Sequence, residues 1–330
     1  MNALPLVTIV VVNWNGRAYL EKCLGSLCAQ TYPAREITLV DNGSTDGSIE
    51  FVREQFPEVQ IVALPYNAGF AAGNNYAMRA ARGEYVALLN NDAYAEPDWL
   101  ARMIEVAEQH PEAGLFACKL LYAHDPRLIN AAGLALDWAG FCWEWQGGTV
   151  DDPQERVVEE CFGPSGAAAL YRRAMLDEIG LFDEDFFAYA EDADLNCRAL
   201  RAGWRSLYIP QARAYHVSLA TAGEGSPVKS RLLGRNKIWM LVKNVPGGRY
   251  LGWWLLLAAY DLLSVGWGLL SRRDLAAVAG RWAALRNLRQ MWRKRRASPT
   301  RTNSYLKLLK PLEAPWKISA RLRRRPATGK

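Results

Sequence analysis

The chain has 330 residues, half of them hydrophobic, with 13 Trp and 14 Tyr, enough for one large α/β core plus an appended segment. Its six Cys are irregularly spaced and form no C-x-x-C pair, which excludes a disulfide framework or a zinc site and points to a reducing compartment. Net charge is +6, but 18 of the 40 Lys and Arg follow Ser271 against two of the 34 acids, so an acidic body carries a basic tail suited to a polyanion, either a membrane surface or a nucleic acid.

The apolar N-terminus, Leu4 to Val12, has no basic residue before it and no cleavage site after it, so it reads as a buried strand and not as a signal peptide. Val7 to Val12 is a continuous β-branched run. Leu20, Leu24 and Leu27 give helical spacing over 17–29. A second strand, Glu36 to Val40, ends at Asp41, and Ser44 or Asp46 is placed to cap a helix running to Phe56. Val59 to Leu64, a helix over 71–81, and Glu84 to Leu89 follow. Pro97 then stands in the first turn of a helix reaching His110. Strand and helix alternate throughout, which predicts a mostly parallel, doubly wound sheet. Residues 131–148, rich in Trp and Gly, predict a loop or hairpin, and Gly163 to Leu170 offers small-residue backbone for close approach of a ligand. A helix follows Glu191-Asp-Ala-Asp194, and 206–209 and 214–216 read as short strands.

Ligands of such sheets sit outside the carboxyl ends of the strands. The polar residues gather there: Asn13 after the first strand, Asp41 after the second, Asn67 to Asn75 after the third, Asn90 to Asp92 after the fourth. One polar strand end is ordinary turn chemistry; four on one rim indicate a shared site.

Val11-Val-Asn-Trp-Asn-Gly16, Asp41-Asn-Gly-Ser-Thr-Asp-Gly-Ser48, Asn67-Ala-Gly-Phe-Ala-Ala-Gly-Asn-Asn75, Leu89-Asn-Asn-Asp92 and Glu191-Asp-Ala-Asp-Leu195 occur in that order. Together they resemble the inverting family-two glycosyltransferases of the GT-A fold, especially the rhamnosyltransferase-like branch, over residues 5–245. The resemblance implies that Asp41 reads the base, with Asn13 and Asn67 helping at base and ribose and Gly69 and Gly73 giving backbone access to the diphosphate. It aligns Asn90-Asn91-Asp92 with the family's Asp-x-Asp element. Asn90 replaces the first Asp, so Asp92 is the metal ligand expected, and Mg²⁺ or Mn²⁺ the cofactor. His216 matches a late His that joins the metal shell. Asp192 becomes the base that takes the acceptor's proton, with Glu191 orienting or tuning it. Asp194 reads as a cap or as the partner of Arg198. Arg235 falls where relatives place a basic residue, fitting a phosphate contact or a surface role equally.

Leu251 to Leu270 approaches the length of a spanning helix and carries one charge, Asp261. A single crossing would separate the basic tail from a catalytic body that uses cytoplasmic nucleotide sugars, so the segment reads as a helix lying in the interface, with Trp253, Trp254, Trp267, Trp282 and Trp292 at headgroup level. The alternative is a helical pair packed on the catalytic domain or on a second copy of the chain in a homo-oligomer. No nucleic-acid-binding module accompanies the charge.

The expectation is therefore a catalytic domain over residues 1–245, with a nucleotide-binding half and an acceptor half, and a membrane-associating helical extension over 246–330. The donor expected is dTDP-L-rhamnose first and a UDP-sugar second. The acceptor expected is a saccharide or lipid-linked saccharide, with the protein peripheral on the cytoplasmic face of the cell membrane. A processive synthase lacks support, because no Gln-x-x-Arg-Trp element follows the acid pair. A nucleotidyltransferase lacks its basic Gly-rich loop. A non-catalytic sugar-nucleotide-binding scaffold rests on Asn90 alone.

Overall fold

The computed structural model describes residues 3–218, 226–246 and 251–311. Its centre is the β-branched run near the N-terminus. Strand β1 (Val7–Asn13) is flanked by β2 (Arg35–Asp41) and β4 (Tyr85–Leu89), with β3 (Gln60–Ala63) outside β2, all four parallel. Successive β1 residues face opposite sides. Ile9 and Val11 join Leu20, Leu24 and Leu27 of α1 (Arg17–Cys28) and Trp99 of α4 (Trp99–Gln109) on one face; Val10 joins Ala71, Ala77 and Met78 of α3 (Gly69–Ala80) on the other. A strand covered on both faces needs no polar alternation, which is why this stretch is uniformly apolar.

The second half of the sheet is mixed. The order is β10-β12-β6-β11-β4-β1-β2-β3, with β10 (Glu159–Glu160), β12 (Arg205–His216), β6 (Ala113–Tyr122) and β11 (Ala168–Arg172). Strand β11 lies antiparallel between β4 and β6, while β12 runs parallel to β6. Two short pieces complete it: β5 (Ala93–Ala95) pairs with β12, and β7 (Ile129–Ala131) pairs with β6. The two short strands expected over 206–209 and 214–216 are one strand, β12, whose register against β6 breaks between Ile209 and Arg213. Pro210, which has no N–H for the ladder, sits at that break. Residues 134–144 form the expected hairpin, from β8 (Leu134–Leu136) and β9 (Cys142–Glu144). Helix α2 (Ser48–Gln55) begins where expected, with Asp46 and not Ser44 beside its first turn; Asp46 accepts from the Ser48 N–H at 3.2 Å and the Ser48 hydroxyl at 2.5 Å.

Helix α5 (Arg173–Ile179) leads through a short 3-10 turn, Glu184–Phe186, to α6 (Glu191–Ala202). Three further helices pack beyond β12: α7 (Pro227–Asn244), α9 (Leu275–Arg286) and α10 (Leu288–Ala297). The indole of Trp239 on α7 donates to the Ala284 carbonyl at 3.1 Å, and the Tyr305 hydroxyl donates to the Asn244 carbonyl at 2.9 Å. Trp239, Ala284, Met291, Tyr305 and Leu309 belong to the same core cluster as Leu195 and Tyr171. The described residues after 251 are thus docked on the body by α9, α10 and the turn that follows.

Helix α8 (Leu251–Arg272) is the exception. Trp253, Leu257 and Tyr260 face the body, where the Trp253 indole donates to the Trp138 carbonyl at 2.6 Å. Leu251, Leu255, Leu262, Leu263 and Leu270 are exposed. Residues 251–271 are long and apolar enough to cross a membrane by length and composition. Its one acid is held at mid-helix: Asp261 pairs with Arg281 of α9 at 2.7 Å and with Lys237 of α7 at 3.2 Å.

Candidate functional site

Parallel pairing brings Asn13 directly opposite Asp41 at the carboxyl ends of β1 and β2. The Asn13 amide donates to Asp41 Oδ2 at 3.0 Å, and its oxygen accepts from the Asn91 amide at 2.8 Å. The Ser44 N–H donates to Asp41 Oδ1 at 2.8 Å, while the Ser44 hydroxyl accepts from Asn13 at 3.1 Å. Three of the four expected strand ends therefore share one hydrogen-bond chain, Asn91–Asn13–Asp41, with Asn13 and Asp41 fully buried. Gly16 is required beside it: a Cβ there would fall 2.0 Å from Asn91 Nδ2 and 2.5 Å from Asn13 Oδ1.

The third strand end joins by backbone. Asn67 accepts from the Gly69 N–H at 2.9 Å, and the Asn42 amide donates to the Gly69 carbonyl at 3.1 Å. Gly69 has a positive φ of 87°, which favours glycine, and a Cβ there would strike the Phe187 ring and carbonyl at 2.6 Å. At Gly73 a Cβ would meet Val12 at 2.9 Å and Asn42 at 3.0 Å. Close packing within the chain accounts for both glycines.

Asp92 and His216 converge from β4's end and β12's end. His216 Nε2 lies 3.1 Å from Asp92 Oδ1 and 3.3 Å from the Asn90 amide nitrogen. On the other side of the ring, Nδ1 lies 3.1 Å from Asn130 Oδ1 and 3.0 Å from the Ser218 hydroxyl. A proton on Nδ1, donated to the Asn130 oxygen, leaves the Nε2 lone pair facing a carboxylate oxygen. Two acceptors at that distance suit a shared proton or a cation between them, and a ligating His oriented through its second nitrogen is the usual arrangement. Among the described residues no three His, Cys, Asp or Glu side chains cluster for a metal. The residues present fit a cation only as a two-ligand platform completed by other oxygens.

The acid pair opens α6. Asp192 accepts from the Gly166 N–H at 3.0 Å and from the Ala193 N–H at 2.7 Å. The 163–167 segment that supplies Gly166 also ties to the fourth strand end, where the Asn90 N–H donates to the Ala167 carbonyl at 2.8 Å. One loop thus connects Asp192 to the Asn90–Asp92 rim. Burial raises the Asp192 carboxyl above the ordinary aspartate range; the two N–H donors oppose that rise and the nearby Glu144 charge adds to it. Glu191 is pushed well above the ordinary glutamate range, first by burial and then by the Asp192 charge. Its Oε2 is buried without a hydrogen-bond partner. Asp194 stands apart from this chemistry. It is fully buried against Arg198 at 2.9 Å, the expected partner, and against Lys243 at 2.7 Å.

Arg235 is half-buried, with its guanidinium engaged by the protein itself. Its guanidinium donates to the carbonyls of Asp185 and Phe186 at 3.0 and 2.9 Å and packs over the Trp239 ring. Gly166 falls in the stretch read as backbone for a ligand, and Ser44 in the Asp41 to Ser48 motif, but neither was tied to Asp192 or Asp41 by sequence. Asn130 was not singled out; its signal is a polar residue inside a short apolar strand.

The glycosyl transferase family 2 profile matches residues 8–180. An N-acetylglucosaminyl-diphospho-decaprenol L-rhamnosyltransferase of Mycobacterium tuberculosis is 28% identical over 274 residues, covering 76% of this chain and 86% of that one. The O-antigen biosynthesis protein RfbC of Myxococcus xanthus is 31% identical over 222 residues, 64% of this chain but only 17% of that much longer protein. Among solved structures, a mannosyltransferase from Pyrobaculum calidifontis in complex with GDP-Man and Mn²⁺ aligns with a TM-score of 0.57 at 20% identity, over 97% of this chain and 84% of the other. GalNAc-T7 with UDP, GalNAc and Mn²⁺ aligns at 0.64 and 15% identity, over 99% and 59%. These structures share the GT-A fold with it. The chain belongs to glycosyl transferase family 2.

Proposed function

We propose that this glycosyltransferase moves L-rhamnose from dTDP-L-rhamnose, with inversion, to a hydroxyl of a lipid-linked saccharide at the inner face of the cell membrane, in the building of a cell-surface polysaccharide. The observation that carries the reading is the continuous rim: Asp41, Asn13 and Asn91 in one hydrogen-bond chain, with Asp192 joined to Asn90 through a single loop. The rhamnosyl donor and prenyl-linked acceptor are suggested by the mycobacterial relative's name. A UDP-sugar is the second donor.

Asp41 meets the pyrimidine N–H in this reading. Asp41 is fully buried, and both of its carboxylate oxygens are held, by the Asn13 amide and by the Ser44 N–H. Asn67, Gly69, Gly73 and Asn90 border the ribose and diphosphate. Asp92 and His216, with diphosphate oxygens, would hold Mg²⁺ or Mn²⁺, which offsets negative charge on the leaving group. Asp192 removes the proton of the acceptor hydroxyl as the oxygen bonds to the anomeric carbon and the bond to phosphate breaks, releasing dTDP. Glu191, whose carboxyl burial and then the Asp192 charge push upward, stands beside it to orient or tune the base.

Residues 1–245 form the catalytic unit and 246–330 the membrane-associating extension, a division of role and not of packing. The exposed leucines of α8, with the basic residues of α9 and α10, support docking on an anionic bilayer. The mid-helix tie of Asp261 to Lys237 and Arg281 favours a helix lying in the interface, since a crossing would drag α7 and α9 with it.

Thermal shift of the full chain against dTDP, UDP, GDP and ADP, with and without Mn²⁺, tests the donor site. Metal-dependent stabilisation by dTDP, absent in Asp92→Ala, is expected. Stabilisation by UDP alone redirects the search to UDP-sugars. No shift with either pyrimidine nucleotide at millimolar concentration overturns the assignment.

A further inference from the structure

The acid pair is reached through backbone that does not hold itself. Phe187, Tyr189 and Ala190 all have positive φ, at 65°, 71° and 66°, and none is glycine. Phe187, with ψ −65°, is the centre of a γ-turn closed by the Ala188 N–H donating to the Phe186 carbonyl at 2.8 Å. That turn is strained, and consecutive left-handed residues persist only where surrounding structure over-determines them. Ala190 is the N-cap of α6, so the path of this loop sets where Glu191 and Asp192 begin.

The surroundings come from two helices outside the nucleotide-binding half. Asn236 of α7, fully buried, places its amide nitrogen 3.0, 2.8 and 2.7 Å from the carbonyl oxygens of Phe186, Ala188 and Tyr189. Arg235 holds the Asp185 and Phe186 carbonyls and donates to the Asn236 oxygen at 2.9 Å, which fixes the amide's orientation. From α10, Lys294 pairs with Asp183 and with Asp185 at 2.6 Å, and Gln290 donates to Asp185 at 2.6 Å. The loop also faces the donor rim: the Ala71 N–H donates to the Phe187 carbonyl at 3.1 Å, and the Phe187 ring lies against Gly69.

We propose that α10 is a clamp on the catalytic loop: Lys294 and Gln290, with Arg235 and Asn236 of α7, act as positioning residues that hold 183–190 in the strained path presenting Glu191 and Asp192. This rests on the reading of Asp192 as the base. It gives the C-terminal extension a part in turnover as well as in docking. Lys294 and Asp185 are each about one-third exposed, and exposed ion pairs add little to stability, while the buried Asp183 keeps Lys243 at 2.6 Å as its second partner. Lys294→Ala therefore leaves the fold intact and isolates positioning.

The test is hydrogen exchange and steady-state kinetics on the full chain, comparing wild type, Lys294→Ala, Lys294→Arg, Asn236→Ala, Asp192→Asn and, as a control, Arg102→Ala, which breaks an exposed ion pair on α4. Amides of 183–194 should exchange about tenfold faster in Lys294→Ala and Asn236→Ala and unchanged in Arg102→Ala. With dTDP-L-rhamnose and a prenyl-diphosphate-linked acceptor, kcat of Lys294→Ala should fall about tenfold or more while donor KM moves less than about twofold, and Lys294→Arg should recover most of it. If Asn236→Ala does not fold, the Lys294 pair decides alone. Unchanged exchange over 183–194 in Lys294→Ala overturns the clamp, as does undiminished kcat beside an inactive Asp192→Asn. Full turnover by Asp192→Asn instead overturns the base assignment on which the clamp rests.

Discussion

The donor rim and the acid loop are built by opposite means. At the rim, regular geometry does the placing. Asn13 and Asp41 stand opposite each other because parallel strands in register end together, and buried amides link them, with positive φ at none of Asn13, Asp41 and Asn91. In the acid loop the backbone is irregular, three non-glycine residues take positive φ, side chains from α7 hold the carbonyls, and side chains from α10 hold the Asp183 and Asp185 carboxylates. The difference teaches that substrate binding can be inherited from a sheet, whereas a reacting carboxylate must be aimed by distant tertiary contacts.

The largest effect should separate the two regions cleanly. With Asp192 as the proposed base, Asp192→Asn keeps the shape but removes the proton acceptor, so kcat should drop by about 10²–10⁴-fold while calorimetric binding of the donor nucleotide stays within about twofold. Asp41→Asn should do the reverse. Loss of a charged acceptor weakens nucleotide binding by about 10–100-fold with kcat at saturating donor nearly preserved, as titration calorimetry and kinetics would show. If each substitution damaged both quantities equally, the division between rim and loop would collapse.

A third region sharpens the contrast. Glutamate at Leu262 and Leu263 on the exposed face of α8 should cut partitioning onto phosphatidylglycerol vesicles by at least about tenfold, measured by flotation, and leave nucleotide binding by the soluble protein unchanged.

The smallest effects concern protons. Asp192 must be ionised to act, and burial raises its carboxyl, so kcat/KM should decline on the acid side at a pH above the usual aspartate value of about 3.9. Glu191 binds its proton more tightly folded than unfolded, again chiefly through burial. Its contribution to stability is therefore complete below the unfolded pKa and is lost as pH rises toward the raised folded value. Glu191→Gln should accordingly raise Tm by about 2–4 °C at pH 8 and change it little at pH 4, as pH-resolved calorimetry would report.

How much could be read in advance follows the same divide. Val7 to Val12, the leucine spacing of α1 and the polar strand ends are local patterns, and the structure places Asn13, Asp41 and Asn91 together as neighbouring strand ends. The convergence of Asp92 and His216 depended on resemblance, since nothing local ties residues 124 apart. Strand β11's reversed direction was not legible, because a short apolar run reads alike in either orientation. Arg235 shows the limit most plainly: a basic residue in a helix carries no sign that its partners are carbonyls of a turn about 50 residues earlier. The extension divides likewise. Its apolar length was visible, but the docking of α9 and α10 on α7 depends on which helical faces meet.

The spans of these contacts carry a consequence in time. The hydrogen bonds joining Asn91, Asn13 and Asp41 bridge at most 78 residues, whereas Lys294 reaches back 111 residues to Asp183 and 109 to Asp185. A chain emerging from the ribosome can complete its nucleotide rim while α10 is still unmade. On the proposed reading, the donor rim can be completed first and the Asp192 carboxylate aimed last.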